Sequence, residues 1–438
     1  MDKKENAKIL VFVYGGYVMR YLYLIIVIPF YGRVLGVTEY GRVLAAMSLM
    51  NVIWMLASYG FTFVGMRDVA KSPECSHHNA VFSLHSSARV FTGAVGLAVG
   101  VIATMCSPTL SERPLMGLLA TLLGLVSALN LGWLFQGRQR FRTPIIIEVI
   151  GFAISLVLIL SIVRGPQDSV WVVASLLIAG VISSVISYGL TFAHVGLPRF
   201  KVSGVMDLMR GSTMLFAYST GSAVLTASST YLLTLLSSPD QVGYFGAAER
   251  FATIGLSLMG PAAQVFIPTI SRQLAQGDTE GARASSRRGA TLLMGYGLLA
   301  LLAALSLSPF LMPLILGKAF TPSAHVLQCL ALMFPFAAFN EFVAFYVFVP
   351  RQKDRLLAIA GITSGFANLV AALFLAPLYG AIGMAIARVI GEAALTVMLI
   401  GLMIRSDMIG LLPGVGRASA MARVARGAFQ HAENGKNK

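Results

Sequence analysis

Twelve apolar stretches dominate this 438-residue chain, each close to the ~20 residues a helix needs to cross a bilayer. They fall at about 9–31, 43–64, 82–104, 115–135, 145–163, 169–192, 213–236, 243–270, 288–313, 324–349, 356–376 and 381–404. In hydrocarbon a spanning segment must satisfy its own backbone N–H and C=O groups, which a helix does and an open strand does not. The expected fold is therefore all-α, a polytopic membrane protein of twelve transmembrane helices. Only short connectors remain, and no soluble catalytic domain fits among them. Composition agrees, with 12% charged residues and mean hydropathy +0.78, where a soluble domain carries about 25% charged residues. The net charge of +15 would suggest nucleic acid in a soluble chain; the apolar content excludes that partner here.

The basic start, MDKKENAK, leads into an apolar run longer than a signal-peptide core, with no A-x-A-like site after it, so it reads as a retained first span. Cys75, Cys106 and Cys329 are odd in number and far apart. They form no disulfide framework and no metal signature, and no cofactor is expected.

Lysine and arginine set the orientation. With both termini cytoplasmic, 24 of the 33 basic residues fall on the cytoplasmic side, 5 on the outer side and 4 inside spans. A bias spread over every loop follows the positive-inside rule. The chain also looks duplicated. G-V-T-E-Y-G-R at 36–42 opens the second span, and S-P-D-Q-V-G-Y at 238–244 opens the eighth. An offset of 202 lays Glu39 over Gln241 and Gly41 over Gly243, and later spans drift from that register by about ten residues. The expected organisation is a six-helix half at 1–200, a second at 201–404 and a basic cytoplasmic tail at 405–438. Two even-numbered halves make a parallel repeat, which places a substrate site between them. The tail reads equally as an interfacial helix or as a disordered segment.

Four arginines, Arg20, Arg89, Arg250 and Arg388, lie inside spans. Each is disfavoured there by about 2.5–3.5 kcal/mol on insertion scales, so each needs water or a partner. Arg20 has Tyr17 and Tyr21 beside it and no acid within a helical turn; it faces a polar cavity or pairs with another helix. Arg250, next to Glu249, reads the same way. Arg388 and Glu392 are four residues apart and can neutralise each other. Arg89 either snorkels to the interface or lines the cavity. Glu341 is a lone acid at depth that pairs with one of these arginines or carries a proton. Glu148, near the interface, reads as structural. The seventh span carries nine hydroxyls in nineteen residues, among them Ser219, Ser222 and Thr226, with Tyr218 nearby. They suit a wet, cavity-facing helix, or helix packing. Pro29, Pro261 and Pro268 are candidate bends. Unpaired arginine favours an anionic, phosphate-bearing substrate, because its planar fork binds phosphate bidentately.

The run P-F-Y-G-R-V-L-G-V-T-E-Y-G at 29–41, followed by A-S-Y-G-F and G-M-R-D-V-A at 57–70, resembles the polysaccharide (O-antigen, Wzx-type) flippase family. That family belongs to the multidrug/oligosaccharidyl-lipid/polysaccharide exporter superfamily. D-Q-V-G-Y-F-G-A-A-E-R at 240–250 is similar to its second-half counterpart. The resemblance implies a non-enzymatic transporter of the bacterial inner membrane. Such a protein moves undecaprenyl-diphosphate-linked sugar repeats within membrane lipid by alternating access, alongside polymerase and chain-length partners. Related peptidoglycan-lipid flippases have cavity arginines in the first and eighth helices; by position these correspond to Arg20 and Arg250. Two other functions compete. A drug/cation antiporter of the same superfamily would use Glu341. A membrane glycan polymerase or ligase would need a large outer loop, and the outer loops here are about ten residues or fewer, with His85 and His325 isolated in sequence.

Overall fold

A computed structural model of the chain describes residues 3–71, 74–140, 142–201, 203–213, 216, 229–351, 353–406 and 408. Among the described residues there is no strand, and eight helices are long and apolar enough to cross a membrane. In chain order the helices are α1 (Lys3–Ser58), α2 (Phe61–Val69), α3 (Cys75–Cys106), α4 (Pro108–Ser111), α5 (Pro114–Ala128), α6 (Gly132–Gly137), α7 (Arg142–Ile162) and α8 (Ser169–Val195). They continue as α9 (Ser229–Leu236), α10 (Pro239–Ser257), α11 (Gly260–Ala275), α12 (Thr279–Leu316), α13 (Thr321–Ala331), α14 (Met333–Phe342) and α15 (Asp354–Arg405).

Two of these helices each carry two expected spans. α1 holds the first and second, and α15 holds the eleventh and twelfth. Each joint is a glycine with positive φ, Gly36 (71°) and Gly380 (55°), where a side chain would clash with its own backbone. The non-helical residue in α1 is thus Gly36 and not Pro29, which lies inside the helix; proline's fixed φ is itself helical. In the eighth span the break falls at 258–259, and Pro261 sits in the first turn of α11, where its missing N–H goes unneeded. The second span also breaks, at Tyr59 (φ 41°) and Gly60 (φ 73°). There the Tyr59 ring stacks on Phe216 at 4.3 Å.

By contact the chain forms two compact units. The first comprises Met1–Ala247, Phe310–Ala324 and Ala376–Ala381; the second comprises Ala248–Pro309, His325–Leu375 and Ile382–Lys438. The first unit has an aromatic core at the expected inner ends of its helices, where Phe82, Leu131, Trp133, Leu134 and Phe135 pack with Val69, Ile147 and Val195. In the second unit Phe266 stacks on Tyr346 at 5.1 Å, and the Tyr296 hydroxyl donates to the Gly255 carbonyl at 2.6 Å. That carbonyl lies in the last turn of α10, where the helix ends and leaves its acceptors without intrahelical partners.

At the expected outer side of the first unit α1 and α10 cross closely. A Cβ built on Gly41 would run into the Pro239 carbonyl and lie 2.8 Å from the Gly243 nitrogen; one built on Gly243 would run into the Val37 carbonyl. Position 37 plus 202 is 239, and 41 plus 202 is 243, so each contact is the counterpart of the other. Thr38 Oγ1 likewise donates to Asp240 Oδ1 at 2.5 Å, again 202 residues away. Small residues at both positions let the two backbones meet.

Candidate functional site

Arg20 projects from α1 toward Glu148 on α7. Its Nε and Nη2 both donate to Glu148 Oε1, the Nε bond at 3.2 Å. Glu148 thus gives Arg20 a partner on another helix. Below the pair, Tyr23 stacks on Phe152 at 4.9 Å and Ser155 donates to the Tyr23 hydroxyl at 3.2 Å. Residues 148, 152 and 155 share one face of α7, and 20 and 23 share one face of α1. The aromatic contact therefore sets where the ion pair sits. Both charged side chains are open, at 52% and 40% exposure. Exposure to hydrocarbon would be strongly unfavourable for either charge, so this opening suits water. An open pair in water contributes only about 0–1 kcal/mol, which makes it displaceable.

At the expected outer side Glu39 is 6% exposed and forms a knot. Ser169 Oγ, at the start of α8, donates to its Oε2 at 2.5 Å. Arg42 pairs with both Glu39 and Glu112, and Arg113 lies 3.6 Å from Glu39 Oε1. The counterpart position, Gln241, accepts the Ala381 N–H at 2.9 Å just after the Gly380 kink. Each side chain thus receives a bond from the start of a later helical segment. Arg33 donates to the Leu314 and Ile315 carbonyls at 2.6 and 3.2 Å, capping the end of α12.

Arg89, for which the sequence left snorkelling and cavity lining open, is buried at 2% exposure. Its guanidinium lies 5.0 Å over the Trp133 ring. It donates to the Asn130 carbonyl at 3.3 Å and to Thr62 Oγ1 at 3.5 Å. The break between α5 and α6 explains the first bond: where α5 ends, its last carbonyls have no intrahelical partner and carry the negative end of the dipole. Beside it, His85 is not isolated. Its Nε2 lies 3.7 Å from Asp68 Oδ2 on α2, and its ring packs on Trp133 at 5.0 Å. Nearby His85 and the Lys71 ammonium, which donates to it at 2.7 Å, hold the Asp68 carboxyl down to about 2 against the opposing effect of burial. Asp68 escaped sequence reasoning because it lies 17 residues from His85 on another helix, with no motif joining them.

In the second unit Asn340 Nδ2 donates to Glu392 Oε2 at 2.8 Å and to the Glu392 carbonyl at 3.1 Å, and Thr396 donates to Asn340 Oδ1 at 2.8 Å. The Glu392 carboxylate thus engages an amide. Arg388, one turn before it and buried at 8% exposure, is not brought within ion-pairing distance of it. Glu341, next to Asn340, is half-buried, as is Arg250 on α10. Tyr218, Ser219, Ser222 and Thr226 lie outside the described residues, as do the side chains of Tyr17 and Tyr21. Among the described residues no three His, Cys, Asp or Glu side chains come together as metal ligands would.

Comparison with known proteins agrees on the kind of molecule. A family model described as "Polysaccharide biosynthesis protein" matches residues 7–274. A Shigella dysenteriae protein named "Putative O-antigen transporter" is 23% identical over 403 residues, covering 91% of this chain and 99% of that one. Among solved structures, the lipid II flippase MurJ in an inward closed conformation superposes with TM-score 0.71 at 12% identity, over 92% of this chain and 90% of that one. An inward-facing multidrug resistance transporter of the MATE family, MOP superfamily, superposes with TM-score 0.68 at 14% identity, over 88% and 98%. At such identities the likeness is one of fold.

Proposed function

Because this chain belongs to the polysaccharide biosynthesis protein family and carries, among its described residues, eight helices long and apolar enough to cross a membrane, we propose that it is a flippase for undecaprenyl-diphosphate-linked oligosaccharide repeats. It would move them across the bacterial inner membrane by alternating access, for O-antigen, capsule or exopolysaccharide synthesis. The observation that carries this reading is Arg20, a membrane-helix arginine open enough for a ligand and answered by a carboxylate that a phosphate can replace. Arg20 and Arg250 are the proposed diphosphate-binding residues. Their planar forks suit two-point contact with phosphate oxygens. The match over 99% of the length of the Shigella dysenteriae protein named "Putative O-antigen transporter" supports the substrate class.

In this reading 1–200 and 201–404 are the two halves of a duplicated transporter, and the reciprocal crossing at Gly41 and Gly243 closes the outer side. Both termini are cytoplasmic by the distribution of lysine and arginine. The polyprenyl chain stays in the lipid while the head group crosses, and polymerase and chain-length proteins take up the delivered repeat. Replacement of Arg20 or Arg250 by Ala tests the assignment: with the protein present at normal level in the membrane, glycan display falls sharply in each. Full display in both variants overturns it.

The drug/cation antiporter reading draws on the acids of the second unit, Glu392 on its Asn340–Thr396 network and Glu341 beside it. It requires that overproduction protects cells from toxic cationic dyes. The flippase reading requires instead that deletion removes surface polysaccharide.

A further inference from the structure

The Arg20–Glu148 pair has a geometry that a purely structural bridge does not need. One oxygen of Glu148 takes both donors on the Nε/Nη2 edge of Arg20, the edge through which guanidinium grips two phosphate oxygens. The pair is open on both sides, so a ligand reaches it without unfolding anything. Its position is held from below by Tyr23, Phe152 and Ser155, so the two helices stay together when the charges part. A bridge meant only to join α1 and α7 would be redundant with that contact.

We propose that Glu148 is the resident counter-ion of Arg20. It occupies the guanidinium while no substrate is bound, yields to the diphosphate, and returns to drive the diphosphate off. Glu148 is then a positioning residue that sets release, acting through Arg20 rather than on the substrate. This rests on the flippase reading above and deepens it, since it says how one arginine both captures and lets go of a polyanion. The Glu148 carboxylate gives the guanidinium a competitor for a doubly charged head group and so helps it leave.

The test uses the full-length protein in lipid nanodiscs and an undecaprenyl-diphosphate monosaccharide as probe, with wild type, R20A, E148Q and E148D. Glu148→Gln keeps the shape and removes the charge. Its affinity for the probe is expected to rise by up to about fivefold, the range of an open ion pair, while glycan export in cells falls. Glu148→Asp keeps the charge and is expected to restore both values toward wild type. This opposite movement of affinity and turnover, with rescue by the conservative variant, is not what loss of a structural bridge produces. Unchanged affinity in E148Q, while R20A loses binding, overturns the counter-ion role and leaves the diphosphate assignment standing. Equal changes in E148Q and E148D also overturn it. If wild type does not bind the probe at all, the flippase reading fails, and the counter-ion role with it.

Discussion

Arg20 and Arg89 are the same side chain on two helices of one unit, and the structure handles them in opposite ways. Arg20 is open and meets a full negative charge that is equally open. Arg89 is buried, and among the described residues it meets no carboxylate at ion-pairing distance; an aromatic face, a helix-end carbonyl and a hydroxyl surround it. The difference teaches which arginine a protein can release. A guanidinium held by π electrons and backbone dipoles inside protein has no alternative partner, so its contacts add to stability. One held by an open carboxylate has contacts that another group can reach.

The largest effect should follow Arg89→Ala. Removing a buried side chain and leaving the Asn130 carbonyl and Thr62 hydroxyl without their donor is expected to destabilise the protein by about 2–4 kcal/mol. Arg20→Ala should lower stability by no more than about 1 kcal/mol while still impairing export. Thermal unfolding of the two detergent-purified variants, compared with wild type, checks the ordering. Equal losses would erase the contrast between them. Trp133→Phe keeps a ring but weakens the cation–π contact; about 1 kcal/mol is expected, and the double variant with Arg89→Ala should lose less than the sum.

A smaller effect concerns Asp68, on the surface of the same cluster. Its folded value of about 2 lies below the ordinary 3.8. Its contribution is therefore fully present above 3.8 and is lost as pH falls toward 2. Melting temperature measured across that interval should fall more steeply for wild type than for Asp68→Asn. Parallel curves would mean that the His85–Asp68 contact adds nothing to folding.

Much of the molecule is legible in the sequence. Runs of twenty apolar residues admit only helices in a bilayer, so the fold class followed from length alone. The two short motifs that an offset of 202 aligns also touch, since Gly41 meets Gly243 and Thr38 meets Asp240, a contact the repeat pattern alone did not announce. Intramembrane arginines stand out in sequence because charge is so unfavourable there. Their partners do not stand out. Glu148 is 128 residues from Arg20, and Asn340 is 52 from Glu392. Arg388 and Glu392 looked paired by spacing, yet the carboxylate found an amide from another helix. Proline drew attention as the bend in the first helix, whereas the kink fell on Gly36, because a reversed φ needs an absent Cβ more than a missing N–H.

Sequence by itself determined that this chain is helical, membrane-spanning and arginine-bearing at depth, because hydrophobic length and the penalty on buried charge are properties of residues one at a time. Tertiary structure decided which arginine stands open on a carboxylate and which is buried against an aromatic ring, a carbonyl and a hydroxyl. That depends on whether water or protein surrounds the guanidinium, and only the packing of distant helices settles it.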